Sequence, residues 1–230
     1  MTLVKICGLT RSQDVDTAVA LGAWAIGFVI TESPRRTAPS LVAKLAARVP
    51  PEVLSVAVFT IEKPFEIAKI VGRTGVRAVQ LSAGTFGPNV AAVRAALSTA
   101  GLPRVALIVA RDTRGAEKAD FVLLELHDEH DVEVAQMLGA PLVGINNRDL
   151  GTLRVDLATT ERLAALLRPA GDERVIVAES GIASRDDALR MRSAGASAVL
   201  VGEALVRDAD AATLGERVGA LRGDEGGGSR

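Results

Sequence analysis

Val175-Ile176-Val177-Ala178-Glu179-Ser180-Gly181-Ile182 decides how the chain is read. Four small or β-branched apolar residues run without a polar break. A carboxylate, a hydroxyl and a glycine follow at once. An apolar run that does not alternate is a strand covered on both faces, as in a parallel sheet. Working outward, similar short runs lie at Leu3–Cys7, Ala25–Ile30, Leu54–Phe59, Ala78–Leu81, Val105–Val109, Phe121–Leu124, Leu142–Ile145 and Ala198–Val201. Between most of them lie Ala- and Leu-rich stretches with helical spacing, among them Asp14–Leu21, Ser40–Arg48 and Thr160–Leu167. Strands alternating with helices imply βαβ units. The expected fold is α/β, a (β/α)8 TIM barrel, as a single domain over residues 1–222. The glycine-rich tail 223–230 is expected to be disordered. Nine runs compete for eight barrel positions. Only about ten residues separate Val105–Val109 from Phe121–Leu124, short for a crossover, so one of these two is expected outside the barrel.

Composition narrows the function. A barrel of this kind takes about 250 residues, and 230 residues that are 48% hydrophobic suffice for one core. The single cysteine rules out an internal disulfide framework and fits a reducing compartment. A net charge of −1, 3% aromatic residues and no tyrosine give no basic or base-stacking surface, so no nucleic-acid partner is expected. The start MTLVKICGLT lacks the pattern of a signal peptide, and no apolar run reaches the roughly 20 residues of a membrane span. A cytoplasmic location is expected, with no membrane partner; the sequence gives no oligomeric state.

In such barrels the chemistry sits where strands end at their C-terminal side. Cys7 ends the first run beside Gly8. A lone cysteine is commonly a small buried hydrophobe, but a thiolate at this place serves as a general base where a nearby charge favours it; position alone leaves both readings open. Arg35, in Ser33-Pro34-Arg35-Arg36, stands either solvated or as a two-point carboxylate ligand. Glu125 ends a buried run, where desolvation would raise its pKa and supply a general acid near neutral pH. His127 and His130 read as loop residues rather than metal ligands, for want of a third ligand. Asn146 opens a polar run after a buried strand and suggests a substrate contact. The last two strands end in Glu179-Ser180-Gly181-Ile182 and Gly202-Glu203. Loops there frequently bind phosphate, though ordinary strand-to-helix turns also use glycine.

These strings carry a resemblance in two parts. Met1 to about Leu81 resembles phosphoribosylanthranilate isomerase, through Lys5-Ile6-Cys7-Gly8-Leu9-Thr10, Gly27-Phe28-Val29 with Ser33-Pro34-Arg35, Val56-Ala57-Val58-Phe59 and Val79-Gln80-Leu81. From about Leu124 to Arg207 the chain is similar to indole-3-glycerol-phosphate synthase, through Glu125-Leu126-His127-Asp128-Glu129, Gly144-Ile145-Asn146-Asn147-Arg148-Asp149-Leu150, Ala178-Glu179-Ser180-Gly181-Ile182 and Val199-Leu200-Val201-Gly202-Glu203. The isomerase likeness implies Cys7 as general base, Glu125 at the position of the family's acidic Asp, and Arg35 as ligand of an anthranilate carboxylate. The synthase likeness adds Asn146, Glu179 and Ser180 as substrate contacts, with phosphate at Gly181, Ile182, Gly202 and Glu203. Departures are specific: Ser82 replaces the isomerase's His, and the third strand, ending Phe59-Thr60, lacks the synthase's acidic Lys. The resemblance implies an Amadori rearrangement of a small phosphorylated sugar-amine, needing no metal and no cofactor. The alternatives are the synthase reaction, another phosphosugar-amine isomerase, or a phosphosugar-binding barrel without catalysis.

Overall fold

Alternating apolar runs and amphipathic stretches assemble as their spacing demands. The computed structural model describes residues 3–82, 89–110, 120–149, 151–167 and 173–202; Glu203 and the tail 223–230 lie outside them. In chain order the elements are β1 (Leu3–Cys7), α1 (Ser12–Ala20), β2 (Ala25–Val29), α2 (Pro39–Ala46), β3 (Leu54–Phe59), α3 (Pro64–Thr74), β4 (Ala78–Ser82), α4 (Val90–Thr99), β5 (Ala106–Ala110), β6 (Phe121–Leu126), α5 (Glu129–Met137), β7 (Leu142–Asn146), α6 (Ala158–Leu167), β8 (Val175–Glu179), α7 (Arg185–Ser193) and β9 (Ala198–Val201). The strands are all parallel and close into one barrel, with β1 paired to both β2 and β9.

Helix α3 shows why these stretches are helices. Pro64 starts it, where a missing N–H costs nothing. Ile67, Ala68, Val71 and Thr74 recur on one face and are buried, and Gly75 ends it in the left-handed conformation. Helix α7 begins with a capping box, Ser184 and Asp187 satisfying each other's amides.

The period of two divides the strands between two cores. Val4, Ile6, Ile26, Phe28, Phe59, Leu107, Leu126, Ile145, Ile176 and Val199 join the helices in the outer core. Ala25, Val56 and Ala78, with Leu54, Ala106 and Ile108 against them, form a separate cluster in the lumen. This apolar cluster comes from β2 to β5, while the polar side chains Lys5, Gln80, Glu125 and Glu179 come from β1, β4, β6 and β8.

The fold class is the one expected, but the strand count corrects the sequence reading. None of the nine runs lies outside the barrel. β5 pairs with β4 from Ala78↔Ala106 to Ser82↔Ala110, and with β6 through Ile108↔Phe121, Val109↔Val122 and Ala110↔Leu123. The physical reason is burial on both faces. Leu107 and Val109 belong to the outer core, while Ala106 and Ile108 pack on the lumen cluster. A strand apolar on both sides has no solvated face to turn outward.

If β5 is wall, Leu107→Ala should cost about 2–5 kcal/mol, as for other buried leucines, because Leu107 is fully buried. Denaturant unfolding measures it. A cost within about 0.5 kcal/mol, the usual range for a surface site, would place β5 outside the barrel.

Candidate active site at the barrel mouth

Cys7 is the last residue of β1 and is half-buried. Gly27, its partner in register on β2, leaves room for it: a Cβ at Gly27 would stand 2.7 Å from the thiol sulfur. The loop after β2 folds back so that Thr37 N–H donates to the Val29 carbonyl at 2.8 Å. That return carries Arg35 across the ends of β1 and β9. Its Nη1 donates to the Cys7 carbonyl oxygen at 3.0 Å. A side chain at Gly202 would collide with the guanidinium, so this glycine is required by the seat of Arg35.

After β8 the chain turns sharply. Ser180 and Gly181 both take left-handed conformations, with φ of 65° and 78°. A non-glycine residue there is uncommon, and such residues gather at ligand loops. Gly181 has a second reason, because a Cβ would strike Val155. The amides of Ala183 and Ser184 donate to Asp187 at 3.0 Å each. The start of α7 thus has its own anion, and a phosphate at this turn would draw on Gly181 and Ile182 instead.

Cys7, Arg35, Arg148, Ser180, Gly181 and Ile182, with Gly202 beside them, line one cavity of about 610 Å³. Six of the residues singled out from sequence therefore converge. Asn146 does not join them. It lines a neighbouring cavity of about 790 Å³ with His127, and Arg148 borders both cavities. Asn147, the next residue, is structural. Its Oδ1 accepts from Thr160 N at 3.1 Å and Thr160 Oγ1 at 2.8 Å, and its Nδ2 donates to the Ser180 carbonyl at 3.2 Å. It ties the loop after β7 to the turn after β8.

Deeper in the barrel lies a charged cluster. Glu179 is buried, and Gly144 on β7 makes the space for it, since any Cβ there would overlap its Oε1. That oxygen has no hydrogen-bond partner among the described residues. Burial, then the charge of Glu125, pushes the Glu179 carboxyl up to about 8, against the opposing pull of Lys5. The sequence reading expected a carboxyl raised by burial at Glu125; at Glu179, which the charge of Glu125 influences, burial has that effect. Lys5 is buried, and its ammonium donates to Gln80 Oε1. Gln80 Nε2 in turn donates to Ser82 Oγ at 2.7 Å.

Lys5 and Gln80 were not singled out as site residues, yet a signal existed. Lys5 precedes Cys7 by two, and Gln80 precedes Ser82 by two, so each pair shares a strand face. A charged or amide group inside an apolar strand rarely lacks a reason. Among the described residues no three His, Cys, Asp or Glu side chains converge to hold a metal ion. No helix there is long and apolar enough to cross a membrane.

Comparison with known proteins separates the two ends of the chain. The family model for indole-3-glycerol phosphate synthase matches residues 113–217, which takes in β6 to β9. The curated indole-3-glycerol phosphate synthase of Nocardioides sp. is 40% identical over 184 residues, covering 66% of this chain and 70% of its own length. The chain belongs to the indole-3-glycerol phosphate synthase family. The match to other members is shorter. The synthase of Haloarcula marismortui is 46% identical over 101 residues, 44% of this chain and 36% of its own. That of Desulfosudis oleivorans is covered over 32% of its length. The whole chain superimposes on a different enzyme. Phosphoribosyl anthranilate isomerase from Thermus thermophilus gives a TM-score of 0.68 at 22% identity, covering 96% of this chain and 98% of that one. The isomerase solved in complex with reduced 1-(o-carboxyphenylamino)-1-deoxyribulose 5-phosphate gives 0.67 at 22% identity, covering 97% and 100%. At that identity the likeness is one of fold.

The raised carboxyl has a consequence for stability. Between about pH 4.5 and 8 the folded chain keeps a proton on Glu179 that the unfolded chain has lost. The folded state binds more protons, so stability falls as pH rises through this window. Thermal melts across it should show a declining Tm, and Glu179→Gln should flatten the decline. An equal slope in the variant would remove Glu179 as its source.

Proposed function

We propose that the chain is a phosphoribosylanthranilate isomerase, carrying out an Amadori rearrangement in tryptophan biosynthesis. The observation that carries this reading is the meeting of Cys7, Arg35 and the Ser180–Ile182 turn on one cavity, in a barrel whose buried Glu179 carboxyl is raised beside the charge of Glu125. A phosphorylated aldosylamine fits it end to end. Its phosphate lies against the turn after β8 and the end of β9. Arg35 takes the aromatic carboxylate by a charge-assisted contact.

The chemistry needs one acid and one base, each near its reacting atom. The Glu125–Glu179 pair holds one proton near neutral pH and passes it to the furanose ring oxygen. The C1–O bond breaks, and the nitrogen lone pair forms a Schiff base. The Cys7 thiolate removes the proton from C2, and the electron pair moves to give an enolamine. Solvent protonates C1 and takes the hydroxyl proton at C2, which yields the ketone. The substrate's atoms are conserved and no electron leaves it, which is what an isomerisation requires.

Family membership favours a second reading, the synthase itself, whose substrate by resemblance is the isomerase's product. That ring closure expels water and carbon dioxide and, by resemblance, takes its proton from a lysine on the third strand. Here Phe59 faces the outer core, and Thr60 meets Thr31 through their hydroxyls at 2.5 Å. Lys5 is the only buried lysine among the described residues, and Gln80 engages it from β4. The acid for ring closure has no seat on β3, so the isomerase is the preferred reading.

Cys7→Ala should lower kcat for phosphoribosylanthranilate by about 10²–10⁴, the usual worth of general acid–base catalysis, with an unchanged melting profile. Glu125→Gln should also depress kcat while leaving KM nearly as it was. Wild-type turnover in the Cys7 variant would end the assignment of the base.

A further inference from the structure

We infer that His127 is a proton relay between the buried Glu125–Glu179 pair and the solvent of the second cavity. The inference rests on the isomerase reading and extends it to how the acid is recharged. Each turnover takes one proton from the carboxylate pair and places another on Cys7. The thiol opens on the first cavity and returns its proton to solvent there. Neither carboxylate lines the second cavity, so a side chain that touches both gives the pair's proton a path from the solvent there.

His127 touches both environments. Its Nε2 lies 3.8 Å from Glu125 Oε2, whose side chain is only 9% exposed. A turn of the carboxyl about its broad terminal torsion closes that gap to a hydrogen bond, and catalytic hydrogen bonds are often long before substrate arrives. On its other side His127 lines the 790 Å³ cavity with Asn146, Arg148 and Asp149. The ring's place is fixed at the backbone, because His127 N–H donates to Asp131 Oδ2 at 2.8 Å. Asp131 sits in the first turn of α5 and itself donates its amide to Asp128 at 3.0 Å.

The charges around the ring allow it to carry a proton. Glu125 faces it from β6, Asp128 and Asp131 from the start of α5, and Asp149 and Arg148 from the loop after β7. Arg162 of α6 also lines the cavity but is paired with Glu129 at 2.6 Å. Asp149 is held below the usual carboxylate range by Thr152's amide and hydroxyl, with a smaller part from His127. An imidazole among these carboxylates gains a proton from solvent at one edge and yields it to Glu125 at the other. Of all side chains its unperturbed pKa suits this exchange near neutral pH.

The test compares wild type and His127→Gln in dilute buffer, with phosphoribosylanthranilate as substrate. The relay requires kcat to fall about tenfold or more, within the range of a lost acid–base group, with KM nearly unchanged. Added imidazole should restore kcat in the variant and leave the wild type unmoved. An unchanged kcat, or a loss that imidazole does not repair, overturns the relay. A second readout is independent of turnover. The chain has two histidines, so the His127 ring is assignable by NMR. Its titration should shift on Glu125→Gln, or on Glu179→Gln if the first variant does not fold. A titration identical in wild type and variant overturns the contact. Absence of turnover in the wild type would instead sink the isomerase reading, and the titration alone would then judge the coupling.

Discussion

The lumen of this barrel holds two carboxylates and an ammonium, and its chemistry depends on how their charges balance. Burying a lone charge is costly, and burying two of like sign is worse. The chain solves this with one proton and one lysine. Glu179 is pushed up to about 8, so the pair carries a single negative charge near neutral pH, opposed by Lys5. Gln80 from β4 fixes the ammonium, and Gly144 on β7 yields the space in which Glu179 sits. Burial of Glu179 on β8 and the charge of Glu125 on β6 thus keep one proton on a carboxyl group that, in water, would have lost it, against the pull of Lys5 on β1.

The wall that encloses this cluster is wider than an eight-stranded one, since barrel diameter grows with strand number. Apolar residues from β2 to β5 line one side of the lumen, and the polar Lys5, Gln80, Glu125 and Glu179 belong to β1, β4, β6 and β8. At the mouth the same economy recurs. Gly27 accommodates Cys7, and Gly202 accommodates Arg35, so both side chains line one cavity at the ends of the strands. Asn147, buried beneath, couples the loop after β7 to the turn after β8.

Much of this was legible in the chain. Unbroken apolar runs mark the parallel strands, and the residues at and just past the ends of those runs include Cys7, Arg35, Ser180, Gly181, Ile182 and Gly202, which share one cavity. What stayed hidden was of two kinds. Whether β5 lies in the wall depends on pairing to β4 and β6, which local sequence does not encode. That burial and the charge of Glu125 raise the Glu179 carboxyl depends on depth and on charges from other strands, which local sequence does not encode. The polar run Asn146–Asp149 also divided in a way spacing does not reveal: Asn146 and Arg148 line cavities, Asn147 braces the loop, and Asp149 holds its own turn through Thr152.

The two ends of the chain point to successive chemistries in one barrel. β6 to β9 carry the synthase family's sequence, while the thiol and guanidinium that define the isomerase-like mouth come from β1 and the loop after β2. The carboxylate pair comes from the synthase-like part; under the isomerase function proposed above, its task is to donate to a ring oxygen beside a cysteine. One preparation assayed for two reactions tests this most directly: consumption of phosphoribosylanthranilate, and formation of indole-3-glycerol phosphate from the isomerase's product. The account predicts turnover in the first and none above background in the second. Ring closure at a rate equal to or above isomerisation would contradict it, and would require a proton donor that β3 does not hold.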